Sequence, residues 1–507
     1  MIKMDMLFLK HDQANVIADY FSDMGLECLK KILTNDEYDV FVDIIRKPLI
    51  DVEMIKERQT ILKDFLNFPE LLVDMQKICT DAQNNKFVVY DLVYSKASPK
   101  KRLTQNLRIT NKSLEVPIKL LNIMKHREFS SKVLSDFYEQ LNRVDLLNEI
   151  IDKINEITEW LLNDCVTFNV EYGSGFKLKR LRIASEGYNL HHKTRFIKRK
   201  KTSFNEYEFA YNIDFLLNLQ IDNLIERGVK NMCTVIDDIN SCILSFCSEL
   251  SRQLLFYSAA VKIVNFSRQI GCSLTFPQFQ SKTIKAKALY DVGLLIADSS
   301  RKGKIPNDFL GEENSFYLIS GVNQGGKTTF LKSIGIAQLF AQSGLPVFAD
   351  EYDCPIYKNF VSHFPKSEDA ELSHGKLAEE LTRFHDLLPL MKNCALVLLN
   401  ESFATTTEAE GYEIALDVLR ALSKVRPTLL FVTHNFILLK NMKEISKMLE
   451  NNVNLCSLIV CKGKSTTDRT YIIVPGEPQE EIYGLDYVIQ RNKLTNLASF
   501  FDTKTYE

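Results

Sequence analysis

The stretch Gly321-Val322-Asn323-Gln324-Gly325-Gly326-Lys327-Thr328-Thr329 has the spacing of a phosphate-binding loop: glycine, four residues, then Gly-Lys-Thr. Glycine lets successive backbone N–H groups close around a phosphate chain with no Cβ in the way. Lys327 adds a point charge for the β- and γ-phosphates, and the Thr328 hydroxyl suits the shell of a Mg²⁺ ion. The chemistry implied is binding of ATP with Mg²⁺ and transfer of the terminal phosphoryl group to water. Further along, the apolar run Cys394 to Leu399 ends in Asn400-Glu401. Glu401 is the candidate for orienting or deprotonating the attacking water. Asn400 stands where a metal-associated acid is expected; it can hydrogen-bond a metal-bound water but carries no charge. A second apolar run, Thr428 to Thr433, ends in His434, placed to sense the γ-phosphate.

These residues need particular elements to bring them together. Phe316 to Ile319 reads as a short strand feeding the loop. Phe330, Leu331, Ile334, Ile336, Ala337, Leu339 and Phe340 then recur at helical spacing, with Gly344 and Pro346 as stop signals. The runs before Glu401 and His434 read as buried parallel strands, which present polar residues at their C-terminal ends. Between loop and acid, Leu372-Ser373-His374-Gly375-Lys376 precedes a helical stretch from Leu377 to Leu388. Ser373 is an N-cap there, and the helix N-terminus offers N–H groups to a phosphate. Residues 276–507 are assigned on this basis to a P-loop α/β domain.

The first half of the chain is helical in pattern. Residues 1–35 carry a mixed helical pattern and no chemical signal. Tyr38 to Arg46 reads as a helix broken at Pro48 and restarted with Asp51 as N-cap, carrying Ile55, Arg58, Gln59 and Leu62. No proline falls between Pro117 and Pro277, which favours uninterrupted helices. Leu134, Phe137, Leu141, Val144, Leu147, Ile151, Ile154, Ile157 and Leu161 make a coiled-coil-like seam. A helix over 129–164 would be roughly 54 Å long, and a second runs from about 206 to 269. The expectation is a helical core domain over 1–128 and a lever arm over 129–275 with a tip at 165–204. Lys179, Arg180, Arg182, Lys198, Arg199, Lys200 and Lys201 make that tip basic and are the candidates for contacting DNA phosphates.

Bulk properties exclude little. The chain has 507 residues, 45% hydrophobic and 25% charged, and a net charge of −2, so an anionic partner must be met by a local patch. No apolar run reaches the roughly 18 residues of a membrane span, and Met1 to Asp5 does not read as a secretory signal. The eleven cysteines lack zinc-ligand spacing and read as thiols in a reducing compartment, hence a cytoplasmic, membrane-free protein.

Taken together, these residues resemble the MutS family of DNA mismatch-repair ATPases. Asn323 with Gly325 to Thr329 is similar to that family's phosphate loop, with Gln324 and Thr328 in place of its usual methionine and serine. Glu401 followed by Ser402-Phe403-Ala404-Thr405-Thr406-Thr407 matches its acid and threonine-rich loop, and Thr433-His434 its switch histidine. Ile305-Pro306-Asn307-Asp308, Pro48-Leu49-x-Asp51, Pro475-Gly476 and Tyr483-Gly484 fit further family segments. Asn400 replaces the family's aspartate. Leu372-Ser373-x-Gly375 looks like the signature that ABC-type ATPases present to a partner's nucleotide, which makes Ser373 and Gly375 candidates for acting in trans. The resemblance implies an ABC-like P-loop NTPase head, an all-α core and lever with long helices, and a small clamp-like tip. It implies an ATPase, as a homodimer through its heads, with ATP hydrolysis changing its grip on duplex or branched DNA. It also implies a short member without mismatch-recognition and connector domains, since nothing before residue 30 matches them. An SMC-like recombination ATPase and a nucleotide-gated protein-interaction module with weak hydrolysis are the alternatives.

Overall fold

The computed structural model describes residues 4–93, 99–142, 151–152, 154, 168–172, 178–183, 215–297, 304–312, 315–366, 376–392, 394–450, 453–462 and 469–478. Its helices in chain order begin with α1 (Tyr20–Met24), α2 (Asn35–Ile45), α3 (Val52–Asn67), α4 (Pro69–Val93), α5 (Pro99–Met124) and α6 (Lys132–Asn142). They continue with α7 (Phe215–Gln269), α8 (Val292–Ala297), α9 (Lys327–Gln342), α10 (Lys376–Leu387), α11 (Glu408–Val425), α12 (Phe436–Lys440) and α13 (Met442–Met448). The strands are β1 (Asn15–Val16), β2 (Phe168–Tyr172), β3 (Leu178–Ile183), β4 (Ile284–Leu289), β5 (Asn307–Gly311) and β6 (Ser315–Ser320). After them come β7 (Glu351–Asp353), β8 (Asn359–His363), β9 (Ala395–Asn400), β10 (Thr428–Val432), β11 (Asn454–Lys462) and β12 (Arg469–Pro475).

A seven-stranded sheet in the order β1-β8-β9-β10-β6-β11-β12 forms the α/β half. Its pairings are parallel except β11 with β12. Strands β6, β8, β9 and β10 are buried at every position, as strands covered on both faces must be; β6, β9 and β10 are mainly apolar, whereas β8 buries Asn359, Ser362 and His363 as well. A three-stranded sheet, β5-β4-β7, flanks it. The strands expected before the loop, before Glu401 and before His434 are β6, β9 and β10. Within residues 4–33 the expected helical pattern gives α1 and a 3-10 helix over Leu26–Lys31, but Asn15 and Val16 depart from it: they pair with Asn359 and Phe360 of β8 and add the sheet's edge strand. Two residues carry no periodicity from which a strand could be read.

The helical half follows from its caps. Thr34 and Glu37 form a reciprocal capping box at the start of α2. Asp51 accepts from the N–H groups of Glu53 and Met54 and starts α3 after the break at Pro48. The carboxylate of Asp64 then receives the N–H groups of Ser130 and Ser131 just ahead of α6. Helix α7 is 55 residues long, which at about 1.5 Å per residue is roughly 80 Å. It packs against α2, α3, α4 and α5. One apolar core joins these helices to the sheet, and a small second core gathers Leu103, Leu107 and Leu114 of α5, Cys233 of α7 and Ile154.

Leu134, Phe137 and Leu141 of the expected seam are buried on α6; most of the seam beyond Asn142 lies outside the described residues. Within the 165–204 stretch, β2 and β3 pair antiparallel, with Lys179, Arg180 and Arg182 on β3. Lys198, Arg199, Lys200 and Lys201 lie outside the described residues, as do Ser373 and Gly375. Among the described residues no helix is long and apolar enough to cross a membrane.

Candidate nucleotide site

The backbone leaves β6 at Gly321 with φ 129°, where a Cβ would meet Val460 Cγ2 at 2.9 Å and Val460 N at 3.2 Å. Only glycine fits both the angle and the space. Gln324 (φ 60°) and Gly326 (φ 91°) are also left-handed and turn the chain back to begin α9 at Lys327. The first N–H groups of α9 therefore close the loop without intrahelical acceptors, which is how a helix start comes to bind phosphate. The Lys327 side chain folds onto the loop, its Nζ donating to Gly321 O at 3.0 Å and Val322 O at 2.9 Å. Burial pulls its pKa down to about 8, against the opposing pull of Glu401.

Register brings the other groups level with the loop. Val432 on β10 pairs with Ile319 of β6 on one side and Asn400 of β9 on the other. Past those pairs the backbone stays stitched, Glu401 N donating to Val432 O at 2.8 Å and Thr433 N to Ile319 O at 3.1 Å. The ends of three neighbouring strands thus carry the loop, Asn400-Glu401 and Thr433-His434. Thr328 Oγ1 donates to Asn400 Oδ1 at 2.9 Å. Glu401 Oε1 lies 3.3 Å from His434 Nε2, both side chains being half-exposed. The hydrogen bond from His434 holds the Glu401 carboxyl below the usual carboxylate range; burial opposes it, and the charges of His434 and Lys327 add to it. Glu401 itself is left-handed, with φ 51°.

Residues that the sequence did not assign to the site complete the space. A cavity of about 430 Å³ is lined by Asn323 to Phe330 and Glu401 on the phosphate side, and by Leu289, Tyr290, Leu294, Ile305 and Tyr471 beyond it. Asn307 fixes the last of these. Its Nδ2 donates to Tyr471 O at 3.1 Å and its Oδ1 accepts from Ile473 N at 2.7 Å, gripping β12 on both sides of Ile472, directly after a left-handed Tyr471 (φ 58°). Ile305 and Asn307 sit in the segment expected to precede the loop strand. Tyr290 and Tyr471 come from distant parts of the chain and carry no local signal.

The site fits ATP. Its volume is that of a small-molecule pocket, its phosphate end carries Lys327 and backbone donors, and beyond it the lining combines Leu289, Tyr290, Leu294, Leu295, Ile305 and Tyr471 with Asp291, Lys304 and Asn307. The fit for Mg²⁺ rests on the Thr328 hydroxyl and the neutral Asn400 carbonyl. Among the described residues no group of three or more His, Cys, Asp and Glu side chains could hold a metal, so an ion here would depend on phosphate oxygens and water.

Comparison with known proteins agrees with this architecture. Residues 50–269 match the model for the MutS2 N-terminal domain, and residues 317–494 match MutS domain V, a P-loop ATPase domain. The DNA mismatch repair protein MutS of Caldanaerobacter subterraneus subsp. tengcongensis is 23% identical over 499 residues, covering 89% of this chain and 56% of that protein. MutS of Thermotoga petrophila is 22% identical over 515 residues, covering 92% of this chain and 63% of its own. Endonuclease MutS2 of Ruminiclostridium cellulolyticum is 32% identical over 152 residues, 28% of this chain and 19% of that protein. The chain thus spans about three-fifths of the length of the MutS relatives it matches. With the MutS2 N-terminal model matched over 50–269 and MutS domain V over 317–494, and with phosphate loop, acid and histidine level on adjacent strands within the second of these, the chain belongs to the MutS family.

Proposed function

We propose that this chain is a MutS-type ATPase that binds and hydrolyses ATP with Mg²⁺ and uses the cycle to change its hold on DNA. The observation that carries the reading is the convergence of Lys327, Thr328–Asn400 and Glu401–His434 at the C-terminal ends of β6, β9 and β10. Lys327 exchanges the loop carbonyls for phosphate oxygens, and the loop N–H groups orient the chain of phosphates. Bound Mg²⁺ supplies charge neutralisation for the transferred group, with Thr328 and Asn400 beside it. Glu401, kept ionised, orients water for in-line attack, and His434 directs that carboxylate while remaining near the terminal phosphate. Leu289, Tyr290, Leu294, Ile305 and Tyr471 form the wall for the base.

In the same reading the chain divides into a core near 1–128, an arm over 129–275 and a head over 276–507, with the segment carrying β1 shared with the head. Heads pair as a homodimer, Ser373 and Gly375 facing the partner's nucleotide. Basic residues around β3 and at 198–201 meet DNA phosphates, and the cytoplasm is where such a protein would work. Lys327→Ala is expected to abolish ATP binding. Glu401→Gln should bind ATP normally while hydrolysis falls at least a hundredfold, trapping a closed dimer. Equilibrium binding and single-turnover hydrolysis, with a panel of duplex, branched and single-stranded DNA, test both parts. Wild-type turnover in both variants would overturn the site, and salt-insensitive or absent DNA binding would overturn the DNA role. The neutral Asn400 favours a second reading, a nucleotide-gated protein-interaction module, for which binding without measurable hydrolysis is the diagnostic result.

A further inference from the structure

Two side chains one turn apart on α10 connect to the turn that follows Glu401, Glu380 directly and Arg383 through His363, and neither lines the nucleotide cavity. Glu380 Oε1 accepts from Phe403 N at 2.8 Å, and its Oε2 accepts from the Thr405 hydroxyl at 2.7 Å. Arg383 Nη2 donates to Phe364 O at 2.8 Å and to His363 Nε2 at 3.1 Å. With Nε2 accepting, the His363 proton sits on Nδ1, which donates to Ser402 Oγ at 2.7 Å. The Ser402 hydroxyl closes the chain by donating to His363 O at 3.2 Å. Apolar packing follows the same route: the Phe403 ring is 5.1 Å from Phe384 of α10 and 6.1 Å from the buried His363.

This arrangement bears on the candidate acid because of the backbone there. Glu401 and Phe403 are both left-handed, with φ 51° and 67°, a conformation that non-glycine residues keep only when their surroundings hold them. On one side the turn is anchored by Glu401 N on β10. On the other it is anchored by Glu380 through Phe403 and Thr405, and by Arg383 through His363 and Ser402. The direction of the Glu401 carboxylate is therefore set jointly by the sheet and by α10.

We propose that Glu380 and Arg383 are positioning residues for hydrolysis, holding the 401–405 turn so that Glu401 points at the attacking water only when α10 is in place. This rests on the nucleotide-site reading above. Because α10 follows the Leu372–Gly375 stretch directly in sequence, the clamp ties the cleavage step to whatever moves that helix.

The test compares Glu380→Ala, Glu380→Gln and Arg383→Ala with wild type, and with Glu401→Gln as reference. Glu380→Ala is expected to lower the single-turnover hydrolysis rate at least tenfold while ATP affinity stays within twofold. Glu380→Gln keeps an acceptor for Phe403 N and can donate to Thr405, so it should recover to within threefold of wild type. Hydrogen exchange should rise at least fivefold in the 401–407 segment of Glu380→Ala and Arg383→Ala, with the phosphate loop unchanged. Wild-type hydrolysis in Glu380→Ala, a parallel loss of ATP affinity, or unchanged exchange at 401–407 each overturns the clamp. If Glu401→Gln also hydrolyses normally, the nucleotide-site reading itself has failed; the exchange result judges the clamp independently of hydrolysis.

Discussion

At the scale of single residues, Lys327 makes the sharpest statement about pH. Its ammonium is held by the Gly321 and Val322 carbonyls in a buried place, and its pKa falls from 10.5 to about 8. Triphosphate oxygens favour the charged form, so binding ATP raises that pKa. The sign follows: below pH 8 the lysine is already charged and affinity is flat, whereas above pH 8 binding must first protonate it. ATP affinity is therefore expected to fall progressively between about pH 8 and pH 10, with proton uptake on binding. Calorimetric titrations at pH 8.5 in buffers of different ionisation enthalpy measure that uptake, and equal heats in all of them would contradict it. Lysine, threonine and glutamate could be read from sequence because loop spacing and strand ends are local signals. The wall of Tyr290 and Tyr471 could not, since it is assembled by tertiary packing of β4, β12 and the segment before β5. Glu380 and Arg383 were equally silent, being ordinary charged residues on an amphipathic helix until their partners are known.

At the scale of elements, α9 is buried along most of its length, and its inner residues are chosen for contact rather than propensity. A Cβ on Gly335 would lie 2.5 Å from Met24 Sδ, 2.7 Å from Leu398 Cδ1 and 2.9 Å from Tyr20 Oη. Tyr20 donates to Gly335 O at 3.1 Å, which fixes that approach. Gly335→Ala removes a helix penalty of up to about 1 kcal/mol but overpacks the site at a cost of about 1–3 kcal/mol. The three contacts come from two elements far apart in the sequence, α1 and the buried strand β9, so overpacking is expected to win. A lower urea midpoint with unchanged slope checks it; a higher midpoint would show that α1 yields. Gln338 and Gln342 belong to the same buried face. Gln342 bonds to Leu49 O, Tyr357 N and Tyr357 O, and Gln338 to Pro355 O and Tyr352, satisfying the loops around α9. The apolar spacing of 330–340 was enough to locate this helix. The polar residues on its buried face were not legible, because a glutamine that bonds to distant carbonyls looks in sequence like one that faces water.

At the scale of the whole molecule, the question is how an event far along α7 reaches the phosphate loop. Two packed routes join the base of α7 to the C-terminal half of α9. Phe41 of α2 stacks on Phe256 of α7 with centroids 5.6 Å apart, and meets Phe340 of α9 edge-on at 5.9 Å. Arg58 of α3 is fully buried, lies 5.9 Å from the Phe256 ring, and donates to Ser343 O just beyond α9 and to Leu7 O. Burial draws its pKa down to about 10 without discharging it near neutrality, so a cation remains fixed at the carbonyl end of the helix whose other end is Lys327. A shift of α7 must therefore move α9 or break these contacts. Phe41→Ala is expected to destabilise the fold by about 3–5 kcal/mol through the cavity it leaves, which would confound any kinetic reading. Phe41→Leu retains most of the volume while removing the ring stack and the edge contact. It should fold, bind ATP with wild-type affinity, and lose at least half of whatever change in hydrolysis rate DNA produces in the wild type. Steady-state ATPase with and without duplex, read beside thermal stability, decides the point. A Phe41→Leu protein that keeps the full DNA response would mean that α7 reaches the loop by another path, with the Arg58 link the next to be tested.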